Sequence, residues 1–162
     1  MHFDESQTAN GNLHLICSTI YFMIQSAEEF IKLRESDVKE EQHRASNDEA
    51  TLNVWMDVIN KYPTFKTWVI HNKTVPLEIL ELLSHDPEPD VRSAVAGKRK
   101  ISESIFNLLS TDPDELVRYA LMCNTKITSE KLKTIQVDDS EWLVEKLEER
   151  LIEVKLESEG TE

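Results

Sequence analysis

Residues 68–93 read WVIHNKTVPLEILELLSHDPEPDVRS, residues 94–119 read AVAGKRKISESIFNLLSTDPDELVRY, and residues 120–145 read ALMCNTKITSEKLKTIQVDDSEWLVE. Set one beneath another, these blocks of 26 residues align Val75-Pro76 with Ile101-Ser102 and Ile127-Thr128, Asp86-Pro87 with Asp112-Pro113 and Asp138-Asp139, and Val91 with Val117 and Leu143. A unit this short has too little interior to bury its own apolar side and must stack on its neighbours. The register therefore predicts an all-α fold, an α-solenoid of short helix pairs.

Within each unit a first helix is expected after Pro76, Ser102 or Thr128, residue types suited to a helix entry. Its buried side reads Ile79, Leu80, Leu83, then Ile105, Phe106, Leu109, then Leu132, Ile135. The Asp-Pro step stops that helix, because a residue before proline is pushed out of the α region, and restarts the chain as a short second helix. That element carries Val91, Ala94, Val95 and, one unit on, Val117, Ala120, Leu121, with alanines that allow close backbone approach.

The register also runs backwards, placing Pro63 under Pro89, Phe65 under Val91, Lys66 under Arg92 and Val54 under Leu80, so a degenerate unit is expected to open the stack near residue 45. A single domain follows: an N-terminal helical cap over residues 1–62, with polar residues 1–12 expected to be disordered; repeats over 63–140; and a capping helix with an acidic tail over 141–162, carrying Trp142, Leu143, Leu147, Leu151 and Val154. In the cap, Ser26 with Glu29 forms a capping box for a helix ending near Glu35, its apolar stripe being Phe30, Ile31 and Leu33. A second helix is expected over residues 37–60, burying Val54, Trp55, Val58 and Ile59. The apolar run 13–24 suits helix or strand by pattern; the reading leans to helix.

The stretches His71-Asn72-Lys73-Thr74-Val75-Pro76, Asp86-Pro87 and Val91-Arg92-Ser93-Ala94-Val95-Ala96 resemble the variant leucine-rich repeat and, more broadly, HEAT-like α-solenoids of bacterial proteins. The resemblance covers about residues 63–140 and implies a right-handed superhelix. Asp138-Asp139 and Leu143-Val144 depart from its Asp-Pro and Val-Arg steps, which places the end of the array there. Such repeats serve many binding tasks, so the resemblance speaks for fold and hardly for activity.

The chain of 162 residues has a net charge of −13, with 11 acidic and 5 basic side chains in residues 1–62, 12 and 10 in 63–140, and 8 and 3 in 141–162. Acidic ends of this kind repel nucleic-acid phosphates and speed encounter with a basic partner. With three glycines there is scant material for a phosphate-cradling loop. His2, His14, His43, His71 and His85 show no metal-ligand spacing, and no catalytic constellation, cofactor or metal is expected. Cys17 and Cys123 are expected as buried, reduced thiols. The opening residues lack the charge of a secretory leader and run 13–24 is too short to span a bilayer, so the expected compartment is the cytoplasm.

What remains is a row of polar corners. The period aligns Asn72, Lys98 and Asn124, then Lys73, Arg99 and Thr125, then Thr74, Lys100 and Lys126, gathering cations on one edge. Trp68 occupies the place of Ala94 and Ala120 and is expected to keep part of its ring exposed, whereas Trp55 and Trp142 read as core. The candidate partner-binding residues are therefore Trp68, His71, Asn72, Lys73, Lys98, Arg99, Lys100 and Lys126. Arg92 and Arg118, near Asp86, Asp90, Asp112 and Asp114, read instead as a structural ladder. The function expected is that of a non-enzymatic protein-binding module, monomeric or weakly dimeric, of the kind that neutralises a basic toxin domain as an immunity protein in contact-dependent inhibition. Its rivals are an adaptor in a larger complex and a nucleic-acid enzyme resembling alkylation-repair glycosylases, which would need a positive groove.

Overall fold

The structure, a computed structural model, describes residues 23–159. Residues 1–12, Cys17 and all of run 13–24 except its last two residues fall outside the described residues. The chain is mostly helical. In order it forms β1 (Met23–Ile24), α1 (Ala27–Glu35), α2 (Lys39–Asn47), β2 (Glu49–Ala50), α3 (Leu52–Lys61), a 3-10 turn (Pro63–Phe65), α4 (Lys66–His71), α5 (Leu77–Leu83), α6 (Pro89–Ala96), α7 (Glu103–Leu109), α8 (Glu115–Met122), α9 (Ser129–Leu132) and α10 (Glu141–Glu159).

Helices α1, α3, α5, α7 and α9 begin at steps of 25 or 26 residues. Each is entered through an extended residue: Ser26, Thr51, Pro76, Ser102 and Thr128. The hydroxyls accept from the N–H groups of Glu29, Val54, Ile105 and Lys131, donors that a first helical turn otherwise leaves unpaired. Helices α1, α3, α5 and α7 pack in succession as one layer, while α4, α6, α8 and α10 pack in succession as a second. Between the layers lie Ile79, Leu80, Leu83, Ile105, Phe106, Leu109 and Leu132 from the first helices, with Ile135 from the turn after α9. Val91, Val95, Val117, Leu121 and Leu143 join them from the second, all in one buried cluster.

Two polar columns tie consecutive helix pairs. In the first, Lys66 Nζ reaches Asp86 Oδ2 at 2.7 Å, Arg92 grips Asp112 through Nε at 2.7 Å and Nη2 at 2.9 Å, and Arg118 Nη2 meets both oxygens of Asp139 at 2.8 and 2.9 Å. The aspartates are shared: Asp86 Oδ1 also accepts from the N–H of Glu88, and Asp112 Oδ1 from that of Asp114, closing the turn before the second helix. Asp86 and Asp112 are buried, which is tolerable because each carboxylate is both ion-paired and hydrogen-bonded. Lys66 thus performs the part of an arginine, and Asp139, one position beyond the aligned Asp138, completes the third rung.

Several expectations need correction. Residues 37–60 form two helices, α2 and α3, because Glu49–Ala50 pairs in parallel with Met23–Ile24 and Thr51 restarts the helix. The same pairing makes the end of run 13–24 a strand. Before residue 45, α1 packs against α2 and also against α3. Helix α9 has only four residues, and Cys123 is exposed, following α8. Among the described residues no helix is long and apolar enough to cross a membrane.

Candidate functional site

The second polar column builds the site. Asn72 is fully buried; its Nδ2 donates to the carbonyls of Ala45 at 2.9 Å and Asp48 at 3.0 Å, and its Oδ1 accepts from the N–H of Thr74 at 2.8 Å. One unit on, Lys98 Nζ donates to the carbonyl of Asn72 at 2.7 Å. A unit further, Asn124 Nδ2 donates to the carbonyls of Ala96 at 2.8 Å and Lys98 at 2.7 Å, while its Oδ1 accepts from the N–H of Lys126 at 3.0 Å. Burial pushes the Lys98 ammonium below the ordinary lysine pKa. Residues 72, 98 and 124 are therefore a hydrogen-bonded column that stitches three turns together.

Because the column's side chains point inward, the residues beside them are thrown outward on one side. Lys73, Arg99, Lys100 and Lys126 are exposed and line, with Lys98, a groove of about 940 Å³. Its floor is apolar, made by Val75, Leu77, Leu80 and Ile101, and Ser102 closes one edge. Lys73, Arg99, Lys100 and Lys126 have no side-chain ion pair or hydrogen bond among the described residues. One acid approaches the rim: Glu81 Oε1 accepts from Ser102 Oγ at 3.1 Å and from Ser104 Oγ at 3.3 Å.

Of the eight residues singled out in the sequence, the structure brings Lys73, Lys98, Arg99, Lys100 and Lys126 to this groove. Asn72 is corrected from contact residue to buried scaffold, since its side-chain amide is committed to the carbonyls of Ala45 and Asp48 and to Thr74. Trp68 and His71 line a neighbouring surface instead. Trp68 is 39% exposed, the Arg34 guanidinium carbon sits 3.4 Å above its ring centroid, and the His71 ring lies edge-on at 5.6 Å. Burial, then the charges of Lys98 and Arg34, lower the pKa of His71. Arg34 precedes the aligned turns, outside their rows, and carries no signal in the repeat. Of the other tryptophans, Trp55 is fully buried as expected, whereas Trp142 keeps 36% of its surface exposed beside Tyr119.

The groove can fix carboxylates or other anions at its rim and apolar side chains on its floor. Among the described residues there is no cluster of metal-ligating side chains. Comparison with protein-family models, curated proteins and solved structures returns no match.

Proposed function

We propose that the chain is a non-enzymatic α-solenoid, akin to the HEAT-like and variant leucine-rich repeats, that binds a protein partner through the cationic groove. The solenoid reading draws support from the recurrence of helix entries, salt-bridge rungs and corner hydrogen bonds at nearly constant spacing. The observation that carries the binding reading is the set of four cations, without ion pairs among the described residues, over an apolar floor in a chain whose net charge is −13.

Magnitudes narrow the occupant. An exposed ion pair contributes roughly 0.2–1 kcal/mol, so four of them fall well short of the roughly 8 kcal/mol that micromolar affinity requires. The deficit must come from apolar contact with the floor, where Leu77 is 43% exposed. An acidic segment bearing apolar side chains meets both demands. Duplex DNA offers phosphates without the apolar anchor, and the acidic ends oppose it.

The test is a fluorescence anisotropy titration with a labelled peptide of alternating glutamate and leucine, beside a labelled short duplex DNA. The peptide is expected to bind in the micromolar range, and Arg99→Glu with Lys100→Glu to weaken it at least about tenfold. Tighter binding of the duplex than of the peptide at physiological salt contradicts the reading in favour of a nucleic-acid function. A cationic partner, such as a toxin domain that this protein would neutralise, finds its complement on acidic α10 instead. Its binding would resist Arg99→Glu with Lys100→Glu and fail with Glu145→Lys and Glu148→Lys.

A further inference from the structure

The chain carries a complement to its own groove. Helix α10 sets Leu143, Leu147, Leu151 and Val154 against the body. At about 100° per residue, Glu145, Glu148, Ile152 and Leu156 then fall together on the opposite face. All four are exposed, Ile152 and Leu156 by 60% and 61%. This face is an acidic helix surface with two apolar side chains that nothing among the described residues covers. Helix α10 packs on α8 and α9 and supplies no residue to the groove lining.

We infer that the α10 face of a second copy seats in the groove, so that two chains pair reciprocally, each giving one helix and accepting one. The inference rests on the groove being a docking surface and goes further by naming its occupant. Charge complementarity carries it: the helix offers Glu145 and Glu148 where the groove offers Lys73, Arg99, Lys100 and Lys126, which have no ion-pair partner among the described residues. Ile152 and Leu156 supply the apolar contact that the floor of Val75, Leu77, Leu80 and Ile101 requires. Two-fold pairing satisfies both surfaces at once and leaves no open edge for further addition. Two bodies of net charge −13 repel one another, but at physiological salt the screening length of about 8 Å mutes that repulsion while contact pairs inside the interface persist. Self-association would then compete with any foreign acidic partner and set how much free groove is available.

The experiment is sedimentation velocity on the full chain at physiological salt across a concentration series. Wild type is expected to pass from monomer to dimer as concentration rises. Arg99→Glu with Lys100→Glu, and separately Glu145→Lys with Glu148→Lys, are expected to weaken the dimer at least about tenfold. An equimolar mixture of the two variants is expected to restore it, since the reversed groove of one matches the reversed helix of the other. Ile152→Gln with Leu156→Gln, at positions too exposed to matter for folding, should also abolish the dimer. A wild type that stays monomeric throughout overturns the inference, as does a dimer indifferent to these variants or a mixture that stays monomeric. A monomeric chain that still binds the glutamate–leucine peptide loses the self-pairing alone; one that binds neither loses the groove reading too.

Discussion

Asn72 and Asn124 are polar residues at turns, a place where side chains ordinarily face water. Here each spends its amide on two carbonyls of the preceding unit. Asn72→Ala leaves the carbonyls of Ala45 and Asp48 without this donor and should cost about 2 kcal/mol or more, read as a lower urea midpoint. An unchanged midpoint would remove the column from the account. The row of residues 72, 98 and 124 was legible in the sequence from periodicity, but its inward direction was not, because composition at a turn says nothing about which carbonyls lie behind it. Lys98 shares this lesson: it is part scaffold, so Lys98→Glu disturbs the fold, whereas Arg99 and Lys100 can be reversed without touching the column. His71 makes a second case. Its pKa lies below the ordinary histidine value, so the unfolded chain binds the proton more readily than the folded one. The stabilisation is therefore complete above that ordinary value and is lost as pH falls beneath it. Lowering pH from about 7 to about 5 should reduce the melting temperature, and His71→Gln should lessen the slope. A slope unaltered by the substitution would contradict this assignment.

At the scale of elements, the rungs formed by Lys66, Arg92 and Arg118 hold each second helix to the turn that follows. Arg92 is the strongest, bidentate on Asp112 and also donating through Nη1 to the carbonyls of Asp86 and Pro87. Its side chain is only 13% exposed and that of Asp112 4%. Arg92→Ala strands a buried carboxylate and should cost roughly 3–5 kcal/mol in chemical denaturation; a loss under about 1 kcal/mol would mean that the pair is peripheral. Val117 has no exposed surface in the middle of the core, so Val117→Asp, burying an unpaired charge, should abolish the cooperative melt, and a native-like transition would refute the register. The helix entries and the Arg and Asp rungs were legible because both depend on residues at fixed offsets. The break between α2 and α3 was not, since Asp48-Glu49-Ala50 holds no glycine or proline. What stops the helix there is pairing with Met23–Ile24, a contact made at long range. Lys66 and Asp139 carry the same limit in small: substitution and a one-residue shift hid rungs that geometry preserves.

Across the whole molecule, Lys73, Arg99, Lys100 and Lys126, cations without an ion pair among the described residues, gather in one groove because three turns, distant in sequence, are stitched side by side by the hydrogen-bonded column. Periodicity foretold that these turns would be neighbours. It did not foretell the apolar floor, since Leu77 has Glu103 in the equivalent place one unit on, nor that Trp68 and His71 would turn toward Arg34 instead. The most direct measurement is a two-dimensional amide NMR titration of the protein with the glutamate–leucine peptide. The account predicts that perturbed signals gather at Lys73, at Lys98 through Ile101 and at Lys126, three separate stretches responding with one dissociation constant. Perturbations confined to one of those stretches, or centred on Trp68 and His71, would contradict it.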